Sequence, residues 1–162
     1  IFELVSEWPR KNDRNVRFVV DTRGSAGKTQ LKKFLQNTAP NFFAYIRPGK
    51  KADLATQLQG QMEDKSVRLV ILDCPRCKGN KGEGIPFDLL EELLDCELSV
   101  VKYKSILEDL DDVPHVCVFT NSEPDYTLLS VDRYTVHLIK PGQKIVTKAR
   151  AAAIQMPRLV TP

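Results

Sequence analysis

The sequence predicts an α/β fold in which helices flank a central, mostly parallel sheet of five strands. Strand-like and helical patterns alternate along most of the chain, which is typical of this class. Residues 67–73, VRLVILD, are almost continuously apolar and end on a carboxylate, as a central parallel strand does when both of its faces are covered. The 162 residues, of which 42% are hydrophobic, suit one domain with its own core.

Five runs rich in β-branched and aromatic residues predict the strands of this sheet. They are Val16–Val20, Phe42–Ile46, residues 67–73, His115–Thr120 and Tyr134–Ile139. A shorter run at residues 98–106, LSVVKYKSI, alternates in polarity and predicts a further strand or hairpin with Lys102 and Lys104 on one side.

Helices are predicted where apolar residues recur at spacings of three and four. These positions are Leu31, Phe34 and Leu35; Leu54, Leu58 and Met62, with Asp53 as the cap; Phe87, Leu90, Leu93 and Leu94; and, in a short helix, Leu128 and Leu129. The chain then divides into three segments: a helix and basic linker at residues 1–15, the main domain at 16–147, and a tail with a short Ala-rich helix at 148–162.

Charge and cysteine content narrow the class of protein. A formal net charge of +3 and a pI near 8.7 permit contact with nucleic acid but do not require it. No apolar run is long enough to cross a bilayer, so we expect an intracellular protein in a reducing compartment. Because the sequence lacks an initiating Met, we also expect it to be a domain of a longer chain. Cys74 and Cys77 have zinc-knuckle spacing, but without a second pair we interpret them as small apolar side chains beside a strand end.

A small-residue turn after the first predicted strand carries the main chemical signal. Gly24-Ser25-Ala26-Gly27 leads into Lys28-Thr29 and then into a helical pattern, which together form the parts of a phosphate-binding loop. Lys28 would reach the outer phosphates, and the Thr29 hydroxyl would ligate magnesium. The strict motif has glycine where this chain has Thr22, so a polar turn that caps a helix is the alternative. The expected nucleotide-binding residues are Gly24, Ser25, Ala26, Gly27, Lys28, Thr29 and Gln30.

Asp73, at the end of the most apolar run, is the second chemical signal. Open α/β sheets bind ligands at the carboxyl ends of their strands, and nucleotide hydrolases place a metal-binding carboxylate there. Asp73 is therefore expected to hold Mg²⁺ together with Thr29. The alternative is a buried strand that ends on Asp at a helix cap.

Several stretches, taken in order, resemble one family. They are Gly24-x-x-Gly27-Lys28-Thr29, Ile71-Leu72-Asp73-x-Pro75-Arg76, Lys102-Tyr103, and Val118-Phe119-Thr120-Asn121-x-x-Pro124-Asp125 with Ser130-x-Asp132-Arg133. The sequence resembles the superfamily 3 helicase domain of replication initiator (Rep) proteins from small circular single-stranded DNA viruses and related plasmids. The resemblance spans roughly residues 8–140 and is most specific from His115 to Tyr134.

This resemblance implies an AAA+ type P-loop domain that assembles as a hexameric ring, hydrolyses ATP between subunits and moves along single-stranded DNA. Its implied ligands are ATP or ADP with Mg²⁺, and its implied partners are single-stranded DNA and further copies of the chain. The implied location is the nucleus or cytoplasm of a host cell, and no membrane is involved. Catalytic roles carry over by matching position: Walker A for Lys28 and Thr29, Walker B for Asp73, the sensor for Asn121, and the arginine finger that reaches a neighbour's nucleotide for Arg133.

The resemblance leaves alternatives open. Lys102 and Lys104 would face the central channel and bind DNA, or else be solvated, and Arg133 could instead pair with Asp132 or Asp125. Asp73 has no adjacent second acid, so the general base is unassigned, and the family's His-x-His site and catalytic tyrosine for nicking DNA are not found in these residues. The other function classes are a nucleotide-binding assembly module without unwinding, and a small-molecule kinase, for which no arginine-rich lid is recognisable.

Overall fold

The computed structural model describes residues 14–24, 26–47, 49–62, 66–74, 84–100, 106–109, 113–139 and 146–148. Its strands are β1 (Val16–Asp21), β2 (Phe43–Ile46), β3 (Leu69–Cys74), β4 (Glu97–Val100), β5 (Ile106–Asp109), β6 (His115–Thr120), β7 (Tyr134–Ile139) and β8 (Val146–Lys148). Its helices are α1 (Lys28–Thr38), α2 (Lys51–Met62) and α3 (Phe87–Leu94), with a 3₁₀ turn at Val131–Arg133. None of these helices combines the length and hydrophobicity needed to cross a bilayer. The predicted N-terminal helix and Ala-rich tail helix lie outside the described residues.

Six strands form one sheet in the order β2-β3-β6-β1-β7-β8. The first five are parallel to one another, and β8 runs antiparallel to β7 at the edge. The predicted α/β class and the mostly parallel five-stranded core are therefore confirmed. The sequence does not predict β8, because three residues are too few to establish a period.

The strands β4 and β5 form a separate antiparallel pair in which Val100 lies opposite Ile106. This pair confirms a hairpin in the region of residues 98–106. Lys102 and Lys104 fall between the two strands, in residues 101–105, which lie outside the described part of the chain.

Helices cover both faces of the sheet, which explains why all six residues of β1 are buried. Phe18 packs on one face, in a cluster that includes the buried leucines of α2 and α3. Val19 packs on the opposite face, where its cluster includes Leu31 of α1. The sheet therefore separates α1 from α2 and α3, and α1 runs directly from the loop that follows β1.

Two details of the predicted helices are wrong. Leu128 and Leu129 lie in a turn, because the Asp125 carboxylate accepts hydrogen bonds from the amide and hydroxyl of Thr127 and so favours a local turn over a helix. The predicted cap Asp53 lies within the first turn of α2, since that helix begins at Lys51. An acidic side chain at this position still interacts favourably with the positive end of the helix dipole.

His137 gives the domain a pH-dependent stability. It lies on β7 with 5% of its surface exposed, and burial together with the charge of Arg17 lowers the pKa of His137 to about 4. His137 is therefore protonated near pH 6.5 in the unfolded chain but only near pH 4 in the folded chain.

We expect the free energy of unfolding to fall by up to about 3 kcal/mol between pH 7 and pH 4, because only the unfolded state is protonated in that window. Urea unfolding at a series of pH values measures this. A His137→Gln variant should lose this part of the pH dependence, whatever its stability at pH 7. A variant profile parallel to the wild type would contradict the assignment to His137.

Candidate nucleotide-binding site

The loop after β1 opens at the carboxyl edge of the sheet, beside a reversal in the direction of the chain. From β1 the chain crosses to β2 at one edge, returns through β3 and β6, and reaches β7 on the other side of β1. In parallel α/β sheets such a reversal leaves a crevice outside the carboxyl ends of the flanking strands. The segments that follow β1 and β6 both border this crevice.

The backbone of this loop suits an anion. Gly24 and Gly27 have φ angles of 80° and 81°, in the left-handed region that favours glycine. Gly27 is the N-cap of α1, and this helix has neither a side-chain cap nor an acidic residue in its first turn. The N–H groups at the start of α1 are therefore available to a phosphate. Ser25 lies outside the described residues.

Asp21, which sequence reasoning did not select, organises the loop. Its carboxylate accepts hydrogen bonds from the backbone N–H groups of Gly24 at 2.8 Å, Ala26 at 2.9 Å and Arg23 at 3.3 Å. Burial alone would raise the pKa of Asp21, but the bonds from Ala26 and Gly24 and the charge of Lys28 outweigh it and lower the pKa. A signal was present in the sequence, since Asp before a small-residue turn commonly binds backbone N–H groups ahead of it.

Lys28 connects the two loops that border the crevice. Its Nζ atom lies 3.7 Å from Oδ2 of Asp21 and donates a hydrogen bond of 3.2 Å to Oδ1 of Asn121. The Lys28 side chain is only 15% exposed and Asp21 is buried, so their contact is partly shielded from water, whereas the bond to Asn121 is exposed. The structure thus brings together two of the predicted catalytic residues, which are 93 positions apart in the chain.

Asp73 lies at the same edge but two strands from the loop. It is level with Phe119 of β6, which is level with Val19 of β1. The Asp73 carboxylate accepts a hydrogen bond from the hydroxyl of Tyr45, on the edge strand β2. Thr29 is exposed in the first turn of α1, as is Gln30, and no hydrogen bond joins Thr29 to Asp73 among the described residues.

The donor set is compatible with magnesium only in the company of a phosphate. Among the described residues no group of three or more His, Cys, Asp or Glu side chains could hold a metal ion. Asp73 and Thr29 nevertheless offer a carboxylate and a hydroxyl, which are hard oxygen donors. Mg²⁺ is commonly bound by one or two carboxylates together with substrate phosphates and water. Cys74, at the end of β3, is a buried core residue, and Cys77 lies outside the described residues.

Arg133 lies at the opposite, amino edge of the sheet. It precedes Tyr134, which is level with Val16 at the start of β1. The loop after β1 begins five residues further along that strand, which is about 17 Å at 3.3 Å per residue.

The Arg133 guanidinium is engaged within its own chain. It lies 3.6 Å from the carboxylate of Glu91 and 3.3 Å from that of Asp95, which also binds Arg14. These two acids, and not Asp132 or Asp125, are its ion-pair partners. Because of the separation along β1, Arg133 cannot reach the loop of its own chain.

The chain is similar to curated proteins named Para-Rep. It is 29% identical over 136 residues to Para-Rep C9 of the Faba bean necrotic yellows C9 alphasatellite, which is 84% of this chain and 44% of that protein. It is 32% identical over 127 residues to Para-Rep C10 of the Milk vetch dwarf C10 alphasatellite, and 31% identical over 127 residues to Para-Rep C7 of the Faba bean necrotic yellows C7 alphasatellite. Each of these two alignments covers 77% of this chain and 42% of the relative.

The chain therefore spans less than half the length of these relatives. No family model and no solved structure matches it. Over most of its own length, the chain is homologous to Rep proteins of alphasatellites.

Replacing Asp21 with Asn should destabilise the domain by about 1.5–3 kcal/mol, the range for hydrogen bonds to a charged group. The amide would also turn an N–H₂ group towards backbone N–H donors. Urea unfolding at pH 7 measures the loss. Asp125→Asn is the matched control, because that exposed carboxylate makes similar local bonds to Thr127 and should matter less. Equal losses in both variants would contradict an organising role for Asp21.

Proposed function

We propose that this chain is the ATP-hydrolysing helicase domain of a Rep protein that initiates replication of a small circular single-stranded DNA. The observation that carries the proposal is the bond from Lys28 to Asn121, which joins the loop after β1 to the end of β6 at the ligand-binding edge. Homology to alphasatellite Rep proteins supports the same assignment. We assign the fold to the AAA+ type P-loop class, and the mostly parallel sheet and the glycine-bearing loop that leads from β1 into α1 support this assignment.

The arrangement suits phosphoryl transfer, in which catalysis consists largely of positioning and charge stabilisation. The free N–H groups at the start of α1 and the Lys28 ammonium would bind the outer phosphates. Asn121 would orient the attacking water through its amide. Thr29 and Asp73 would hold Mg²⁺, whose positive charge offsets the negative charge that develops on the phosphates.

Arg133 is proposed to complete the site of a neighbouring subunit. Its position at the amino edge separates it from its own loop by about 17 Å of strand. If Arg133 contributes to hydrolysis, it must therefore act in trans. In that role the guanidinium would exchange its ion pairs with Glu91 and Asp95 for the phosphates of the adjacent nucleotide.

We expect Lys28→Ala and Arg133→Ala each to lower steady-state ATP hydrolysis strongly, Arg133→Ala by on the order of a thousandfold. A mixture of the two inactive proteins should recover part of the activity. Some mixed interfaces would combine an intact Lys28 site with an intact neighbouring Arg133. Turnover of radiolabelled ATP in matched single and mixed samples measures the recovery.

Unchanged turnover in Lys28→Ala would remove the phosphate-loop assignment. A mixture that co-assembles in sedimentation experiments without recovering activity would contradict action in trans. Stimulation of the wild-type rate by single-stranded DNA separates a helicase from the alternative, an assembly module that binds nucleotide without unwinding.

Lys102 and Lys104 are proposed to contact DNA phosphates. The described strands β4 and β5 bring residues 100 and 106 opposite each other, so the two lysines belong to the connection between the strands of a hairpin. Their position in the sequence, between two paired strands, supports the proposal, and phosphate contacts there would position the DNA without reading its sequence.

The double variant Lys102→Ala/Lys104→Ala should bind single-stranded DNA more weakly and with a shallower salt dependence. Each lost phosphate contact lowers the slope of log K against log salt by about one unit. Fluorescence anisotropy at several salt concentrations gives the slope. Lys33→Ala/Lys50→Ala, which removes two exposed lysines outside the hairpin, is the control. The same slope for both double variants would show that the hairpin lysines are simply solvated.

A further inference from the structure

The hydroxyl of Tyr45 is bound to the carboxylate proposed to hold magnesium. Tyr45 donates this hydrogen bond to Oδ2 of Asp73 from the neighbouring edge strand β2. Burial, and next the bond to Asp73, raise the pKa of Tyr45. Even an ordinary tyrosine hydroxyl, with a pKa of about 10, keeps its proton at neutral pH, so the phenol is the donor in this hydrogen bond.

The position of Tyr45 is fixed from three directions. Its backbone N–H donates to Oε1 of Gln61 at 3.0 Å, and its carbonyl accepts from Nε2 of Gln61 at 3.2 Å. Gln61 thereby satisfies both groups that the edge of the sheet would otherwise leave open. The Nζ atom of Lys32 lies 4.2 Å from the centre of the Tyr45 ring, in a cation–π contact that holds the face of the ring.

Tyr45 borders a groove of about 440 Å³ at the β2 edge of the sheet, which is lined by residues of both α1 and α2. Its lining includes Lys32, Tyr45, Arg47 and Gln61. Tyr45 is only partly buried there, so removing its hydroxyl oxygen leaves no closed cavity in the core. A Tyr45→Phe variant therefore tests the hydrogen bond with little other disturbance.

We infer that Tyr45 is a positioning residue that orients Asp73 for magnesium, an inference that rests on the proposed nucleotide-binding function. The hydroxyl binds Oδ2 of Asp73 and restrains rotation of the carboxylate. The hydrogen bond thereby fixes the direction in which Oδ1 points. Hydrogen-bond partners of metal-binding carboxylates act in this way, and losing one typically weakens metal affinity by about 10- to 100-fold. The edge strand β2 thus contributes to a site that is otherwise formed by β1, β3 and β6.

The test measures the affinity of the chain for a fluorescent ADP analogue at a series of Mg²⁺ concentrations. In the wild type, Mg²⁺ should tighten nucleotide binding, and Asp73→Asn should abolish that gain. Tyr45→Phe should require about tenfold more Mg²⁺ for the same gain while its affinity without Mg²⁺ is unchanged. Tyr126→Phe is the matched control, since the Tyr126 hydroxyl donates to the carboxylate of Glu123 and not to that of Asp73.

A purely structural hydroxyl gives a different pattern. Tyr45→Phe would then lower the thermal unfolding temperature and leave the Mg²⁺ requirement as in the wild type, which would overturn the inference. A lower Mg²⁺ requirement in Tyr45→Phe would overturn it as well, because the hydroxyl would then compete with the metal. If Asp73→Asn retains the full magnesium effect, the assignment of Asp73 fails together with the inference, whereas failure of Tyr45→Phe alone leaves the proposed function intact.

Discussion

The conformation of the loop after β1 depends on the Asp21 carboxylate. Asp21 ends a strand that is buried at all six positions, so the loop starts from a rigid support. A buried carboxylate is stable only when hydrogen bonds and opposite charge compensate its lost hydration. The N–H groups of Gly24 and Ala26 and the ammonium of Lys28 supply that compensation. Since Lys28 also binds Asn121, a short series of polar contacts joins the end of β1 to the end of β6.

The sequence was sufficient to predict polar residues on the segments that follow apolar strands. Lys28 and Asn121 could be placed at one edge because parallel strands direct their carboxyl ends the same way. The roles of Asp21 and Tyr45 could not be predicted, since the first depends on the conformation of the loop and the second on β2 being the strand beside β3. The helix predicted at Leu128 failed because local bonds to Asp125 compete with helical ones, a competition that apolar spacing does not report.

The two edges of the sheet carry different proposed roles. The carboxyl edge holds the loop and Lys28, whereas the amino edge holds Arg133 with Glu91 and Asp95. A site that joins these edges needs two copies, and each copy must present a different surface to its neighbour. Such a contact is heterologous, so it generates a ring if the rotation between copies closes and an open filament if it does not. Assembly and hydrolysis would then depend on the same interface.

Nucleotide binding at this loop would be an exchange of partners for Lys28, not the pairing of a free charge. The ammonium already lies 3.7 Å from the Asp21 carboxylate and 3.2 Å from the Asn121 amide oxygen. The net binding free energy from Lys28 is therefore only the difference between its attraction to phosphate and these existing contacts. The negative charge of Asp21 also lies close to the space that phosphates would enter, and it would oppose them. No side-chain cap competes with phosphate for the N–H groups at the start of α1. The helix terminus should therefore contribute much of the phosphate affinity, and Lys28 should matter most where charge develops during transfer.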